Sequence, residues 1–199
     1  MESGEMMPQL IKFLSSLLQC VAESNDLRRG SEPQKISAFN GVSRPSISIQ
    51  SYLQRIFKYA NCSPSCYIIA YVYLDRFTQR HPSLPVDSFN VHRLLITSIM
   101  LSAKFMDDMY YNNAYYAKVG GISTREINFL EVDFLFGLGF HLNVTPSTFQ
   151  SYCSYLQREM MLQHPHLMNN FSFNTSSKLY LHFTDQEDSS QQQQHQLAV

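Results

Sequence analysis

The sequence predicts an all-α fold, and three observations predict it. Apolar residues recur at spacings of three and four along most of the chain up to about Leu167, the period of one face of a helix. Proline or glycine separates nearly every pair of these stretches, as expected of short helices joined by turns. No run of alternating apolar and polar residues with turn signals suggests a sheet. The 199 residues, 44% hydrophobic and 13% aromatic, suit one domain with tails and can bury a substantial core.

Each element has its own signals. "QLIKFLSSLLQCVA", residues 9–22, sets Leu10, Leu14, Leu17, Leu18 and Val21 on one helical face. "ESNDLRRGSEP" then reads as a polar linker, and residues 35–45, with Gly41 and Pro45, as loop. The main domain is expected to start at Ser46. There "SISIQSYLQRIFKYA" carries Ile49, Leu53, Ile56 and Phe57 on one face, with Asn61 as its stop. Ser63 and Pro64 read as an N-cap and a first helical residue whose missing N–H costs nothing. The helix they open, "SCYIIAYVYLDRFTQR", aligns Cys66, Ile69, Ala70, Tyr73, Leu74 and Phe77 and ends at "HPSLP". Asp87 or Ser88 can cap "FNVHRLLITSIMLSAKFMDD", which is apolar or small almost all round from Leu94 to Phe105. A helix of that kind belongs at the centre of its domain. A short aromatic segment, "YYNNAYYAKVGG", halts at Gly120-Gly121. Ser123 and Glu126 form a capping-box pattern ahead of the apolar face Ile127, Leu130, Phe134, Leu135 and Leu138. Thr145-Pro146 starts one more helix. The predicted organisation is a helix and linker over 1–45, five helices over 46–145, a C-terminal helix over 146–168, and a Gln- and Ser-rich tail over 169–199 expected to be disordered.

Composition narrows the function. The net charge is -1 and the only clear basic doublet is Arg28-Arg29, so there is no electrostatic footprint for nucleic acid. The N-terminal apolar stretch follows Glu2 and Glu5 and lacks the basic n-region of a signal peptide. The four cysteines, Cys20, Cys62, Cys66 and Cys153, are therefore expected as free thiols in a reducing compartment. No window approaches the ~18 to 20 apolar residues that span a bilayer. A soluble protein of the nucleus and/or cytoplasm is expected, without membrane or nucleic-acid partners. Gly120-Gly121 follows a helix and lacks the further glycines of a phosphate loop. No serine has a nucleophile-elbow context. Cys62-x-x-x-Cys66 has no second ligand pair at metal spacing, and His164 and His166 are too isolated to supply one. The expectation is no catalytic residue, metal, cofactor or small-molecule substrate.

Two charged residues stand out. Lys104 lies with Arg93, Thr97 and Met100 on the side of its helix opposite the main apolar stripe, and Glu131 interrupts the apolar face between Ile127 and Phe134. Burying an unpaired charge costs several kcal/mol, roughly. Lys104 can pair locally with Asp107 or Asp108, a contact of ~0.2 to 0.5 kcal/mol, while Glu131 reaches solvent. Alternatively, the two can face one point in space and form a bipolar docking site.

The order and spacing of three motifs resemble a cyclin box. "SCYIIAYVYLDRF", ending Tyr73-Leu74-Asp75-Arg76-Phe77, resembles its second helix, "LLITSIMLSAKFMDD" its third and "REINFLEVDFLFGLGFHL" its fifth. The single repeat and compact box are most similar to the P/U-type cyclins of plants, relatives of the fungal phosphate-regulatory cyclins. The resemblance implies a regulatory subunit that binds and activates a cyclin-dependent kinase, in cell-cycle or nutrient signalling. The alternative is a cyclin-fold adaptor that recruits other proteins without activating a kinase. It also implies that Lys104 and Glu131 form the polar centre of the kinase-binding surface, with Leu101, Phe105, Leu135 and Phe140 as apolar contacts around them. Asp75 and Arg76 are expected to serve the fold. Mitotic and S-phase cyclins carry a Met-Arg-Ala-Ile-Leu motif that docks substrates, whereas the corresponding positions here hold Pro45, Ser46, Ile47, Ser48 and Ile49. Substrate docking is not carried over to that patch.

Overall fold

The computed structural model describes residues 3–28 and 37–163. The predicted tail, His164, His166 and most of the linker after Arg28 lie outside the described residues. Among those described there are seven helices and no strand. They are α1 (Ser3–Arg28), α2 (Ile49–Tyr59), α3 (Pro64–Arg80), α4 (Val91–Met106), α5 (Asn113–Gly120), α6 (Thr124–Gly137) and α7 (Pro146–Gln163). The all-α fold and the five helices expected between Ser46 and Thr145 are present as α2–α6.

Their ends follow the local chemistry. Ser48 accepts from the Ser51 N–H at 3.1 Å, Asn112 from Tyr115 at 3.0 Å and Ser123 from Glu126 at 3.1 Å, each satisfying one of the orphan donors of a first turn. The Ser123 box is formed on one side, because the Glu126 carboxylate is engaged by Arg93 Nε at 2.6 Å. Asp87 acts before α4 rather than at its cap. Its side chain accepts from Phe89 and Asn90 N–H groups, Asn90 Oδ1 accepts from Asp87 N–H, and the helix starts at Val91. Gly121, at φ 70°, closes α5 in the left-handed region that glycine adopts without strain.

α4 lies at the centre, packed against α2, α3, α5 and α6. Its hydroxyls do not disturb the apolar surroundings. Buried Thr97, Ser98 and Ser102 donate to carbonyls of their own helix at 2.7, 3.0 and 2.8 Å, which satisfies them locally. Phe77 and Phe134 stack at 4.7 Å between α3 and α6.

Two expectations about the N-terminal part require correction. The predicted boundary at Ser46 does not divide the core. Leu10, Ile11, Phe13, Leu14 and Leu18 of α1 join the same buried cluster as α2–α6. Phe39, from the segment read as loop, is 2% exposed and meets Phe77 and Phe134 edge-on at 5.3 and 5.9 Å. Helix α1 also continues into the stretch read as linker, as far as Arg28. Tertiary partners outweigh its turn-forming residues, because Asn25 donates to the Val86 carbonyl at 2.7 Å and Asp26 accepts from Ser88 N–H and Oγ–H at 3.2 and 2.6 Å.

Candidate functional site

α4, α5 and α6 meet one another pairwise, and the two singled-out charges come together where they do. Lys104, in the last turn of α4, donates from Nζ to Glu131 Oε1 of α6 at 2.6 Å. The side chains remain 25% and 17% exposed, so the pair is sheltered yet reachable. A charge-assisted bond of this length is stronger than a neutral one.

Of the two local partners considered for Lys104, Asp107 is engaged elsewhere. Asp107 accepts from the Ser63 N–H at 2.9 Å and from the Cys66 thiol at 3.4 Å, tying the end of α4 to the start of α3. Burial alone would raise the Asp107 pKa, but the Ser63 and Cys66 donors outweigh it and hold the carboxyl below its usual range. Cys66 is buried beside Cys62. Contact between the thiols, with burial opposing it, lowers the Cys62 pKa, and the same contact together with burial raises that of Cys66. Among the described residues no group of three His, Cys, Asp or Glu stands close enough to hold a metal ion.

The apolar residues expected around the pair divide into two groups. Phe105 and Phe140 are 49% and 58% exposed and Leu135 is half-buried, so these three offer surface. Leu101 is 3% exposed and belongs to the core, a correction to its expected contact role. Phe140 has φ 59°, left-handed for a bulky residue, after Gly139 at 58°. That conformation costs on the order of 1 kcal/mol. It sets the Phe140 ring edge-on to Phe136 at 5.2 Å. Phe136, Met106, Met109 and Tyr110 are exposed as well.

Asn113 was not foreseen. The first residue of α5, it donates from Nδ2 to Glu131 Oε2 at 2.6 Å and to Asn128 Oδ1 at 2.7 Å. In "YYNNAYY" either asparagine reads as a helix cap, and nothing local shows that the second faces another helix.

Asp75 and Arg76 lie away from this pair. Asp75 is buried and accepts from the Tyr152 hydroxyl at 2.5 Å and the Gln79 amide at 2.9 Å. Arg76 donates to the His141 and Asn143 carbonyls at 3.2 and 2.8 Å. Together they fasten the connection after α6 and the first half of α7 onto α3.

The structure defines an all-α protein with one core and a sheltered lysine–glutamate pair between two of its helices, and comparison with known proteins gives its family. The family model described as Cyclin matches residues 10–142. Cyclin-U4-1 of Arabidopsis thaliana is 65% identical over 202 residues, covering 100% of this chain and 98% of that relative. Cyclin-P4-1 of Oryza sativa subsp. japonica is 60% identical over 164 residues, covering 80% and 77%. Cyclin-U1-1 of Arabidopsis thaliana is 43% identical over 158 residues, covering 78% and 75%. The chain belongs to the cyclin family and groups with the P/U-type cyclins of plants.

Proposed function

We propose that this cyclin binds and activates a cyclin-dependent kinase through the surface centred on Lys104 and Glu131. Family membership supports a regulatory role and a kinase partner in general. The observation that carries the specific reading is the Lys104–Glu131 pair, held at 2.6 Å between two helices, with exposed Phe105 the next residue after Lys104. A polar pair enclosed by apolar side chains is the anatomy of an interface hot spot. Lys104 keeps N–H donors and Glu131 keeps lone pairs for groups on a partner.

On this reading the kinase supplies ATP, magnesium and the phosphoryl-transfer chemistry. The cyclin contributes a rigid helical face that favours the inward position of the kinase αC helix, so that its glutamate pairs with the ATP-site lysine. Activation then equals the difference in the cyclin's affinity for the active and inactive arrangements.

Lys104→Ala or Glu131→Ala is expected to weaken kinase binding by roughly 2 kcal/mol or more, measured calorimetrically against a panel of purified cyclin-dependent kinases with circular dichroism to verify folding. Unchanged affinity in a folded double variant would overturn the assignment. Binding without stimulation of kinase activity would identify an adaptor instead.

A further inference from the structure

The Lys104–Glu131 pair depends on a third residue. Glu131 presents its two oxygens to different donors, Oε1 to Lys104 at 2.6 Å and Oε2 to Asn113 at 2.6 Å. An asparagine side chain has two N–H donors, and the second reaches Asn128 Oδ1 at 2.7 Å. The contact with a carboxylate fixes which amide atom faces Glu131, since only the NH₂ group can donate.

Asn113 is itself held in place. It opens α5, a helix tied to α2 near both of its ends. The Tyr115 hydroxyl donates to the Tyr59 carbonyl at the end of α2 at 2.8 Å, and the Tyr52 hydroxyl of α2 donates to the Gly120 carbonyl at the end of α5 at 3.1 Å. A donor on a helix clamped near both ends cannot follow a carboxylate that swings away. The carboxylate therefore takes the orientation the donor sets.

That orientation matters to a partner. With Oε2 occupied by Asn113, Glu131 meets Lys104 through one oxygen only. Both oxygens turned onto Lys104 would close the pair on itself and withdraw the ammonium from the surface. We propose that Asn113 is a positioning residue of the docking site, which keeps the ion pair open to a kinase by holding Glu131 through its second oxygen. Its importance for kinase binding rests on the docking reading, while the positioning of Glu131 does not.

The experiment has a structural and a binding part. In a crystal structure of the free Asn113→Ala chain, the Glu131 carboxylate is expected to rotate, with both oxygens toward Lys104; an unchanged carboxylate would overturn the proposal whether or not any kinase binds. With a purified cyclin-dependent kinase that the native chain retains, Asn113→Ala is expected to reduce affinity about tenfold, the size of a lost hydrogen bond to a charged group. In a Glu131→Ala background the same change is expected to cost less than about twofold, because the residue it positions is gone. An equal loss in both backgrounds would show that Asn113 acts independently of Glu131 and would overturn the proposal. Asn112→Ala controls for α5 stability: it removes the cap without touching Glu131 and is expected to lower the melting temperature while leaving affinity within about twofold. A tenfold loss there would assign the effect to α5 as a whole and overturn the proposal. If Lys104→Ala and Glu131→Ala leave kinase binding unchanged, the docking reading fails, and the crystal structure still decides whether Asn113 positions Glu131.

Discussion

His92, on α4, places Nε2 2.9 Å from the Ile47 carbonyl and its ring edge-on to Tyr52 at 4.8 Å. Burial lowers its pKa from 6.5, with Arg55 and Arg93 acting in the same direction and the Ile47 hydrogen bond against them. The unfolded chain therefore takes up a proton at higher pH than the folded one, and stability falls as pH drops below about 6.5 toward the folded value. The melting temperature is expected to decline over that range, and His92→Gln to flatten the decline; an equally steep decline in the variant would place the titration elsewhere. Asp107, with its pKa lowered, adds stability that disappears only at more acidic pH. At this scale Lys104 and Glu131 could be noticed in the sequence because each interrupts an otherwise apolar pattern. Their pairing came from the resemblance, since periodicity alone left Asp107 and Asp108 equally open as partners. Asn113 could not be found that way, because an asparagine ahead of a helix already has an ordinary explanation.

Between elements, the closest constraint is the approach of α3 to the end of α6. A Cβ on Gly137 would run into the ring edge of buried Phe77 and come within 3.1 Å of His81 Nε2, the atom that contacts the Gly137 carbonyl at 3.1 Å. Gly137→Ala is expected to destabilise the protein by about 1–3 kcal/mol, the usual cost of overpacking, read from urea unfolding. A neutral result would mean that Phe77 can shift without losing its stack on Phe134. The helices α2–α6 were legible because periodicity, caps and punctuating Pro and Gly agree in each. The end of α1 was not, because Asn25 and Asp26 are local turn formers whose partners, Val86 and Ser88, lie some sixty residues along the chain. Phe39 was missed for a related reason. One aromatic residue in an aperiodic segment gives no sign that it completes a distant cluster.

For the molecule as a whole, the continuity of the core decides what counts as the folding unit. Leu14 and Leu18 of α1 line a small apolar pocket with Leu53 of α2, Tyr67, Ala70, Tyr71 and Leu74 of α3, and Leu95 and Ile99 of α4. A chain starting at Ser46 would expose that lining and lose Phe39. It is expected to lack a cooperative thermal transition and to have a weak near-ultraviolet dichroism signal; cooperative melting near the temperature of the full chain would show α1 to be an accessory. The family match beginning at residue 10 agrees with including α1. The distribution of Lys104, Asn113 and Glu131 over three helices also bears on inhibitor design. A stapled peptide copied from α4, α5 or α6 would carry one of the three, so on the proposed reading a competitor for the kinase must reproduce the junction of helices, as a miniature folded scaffold would.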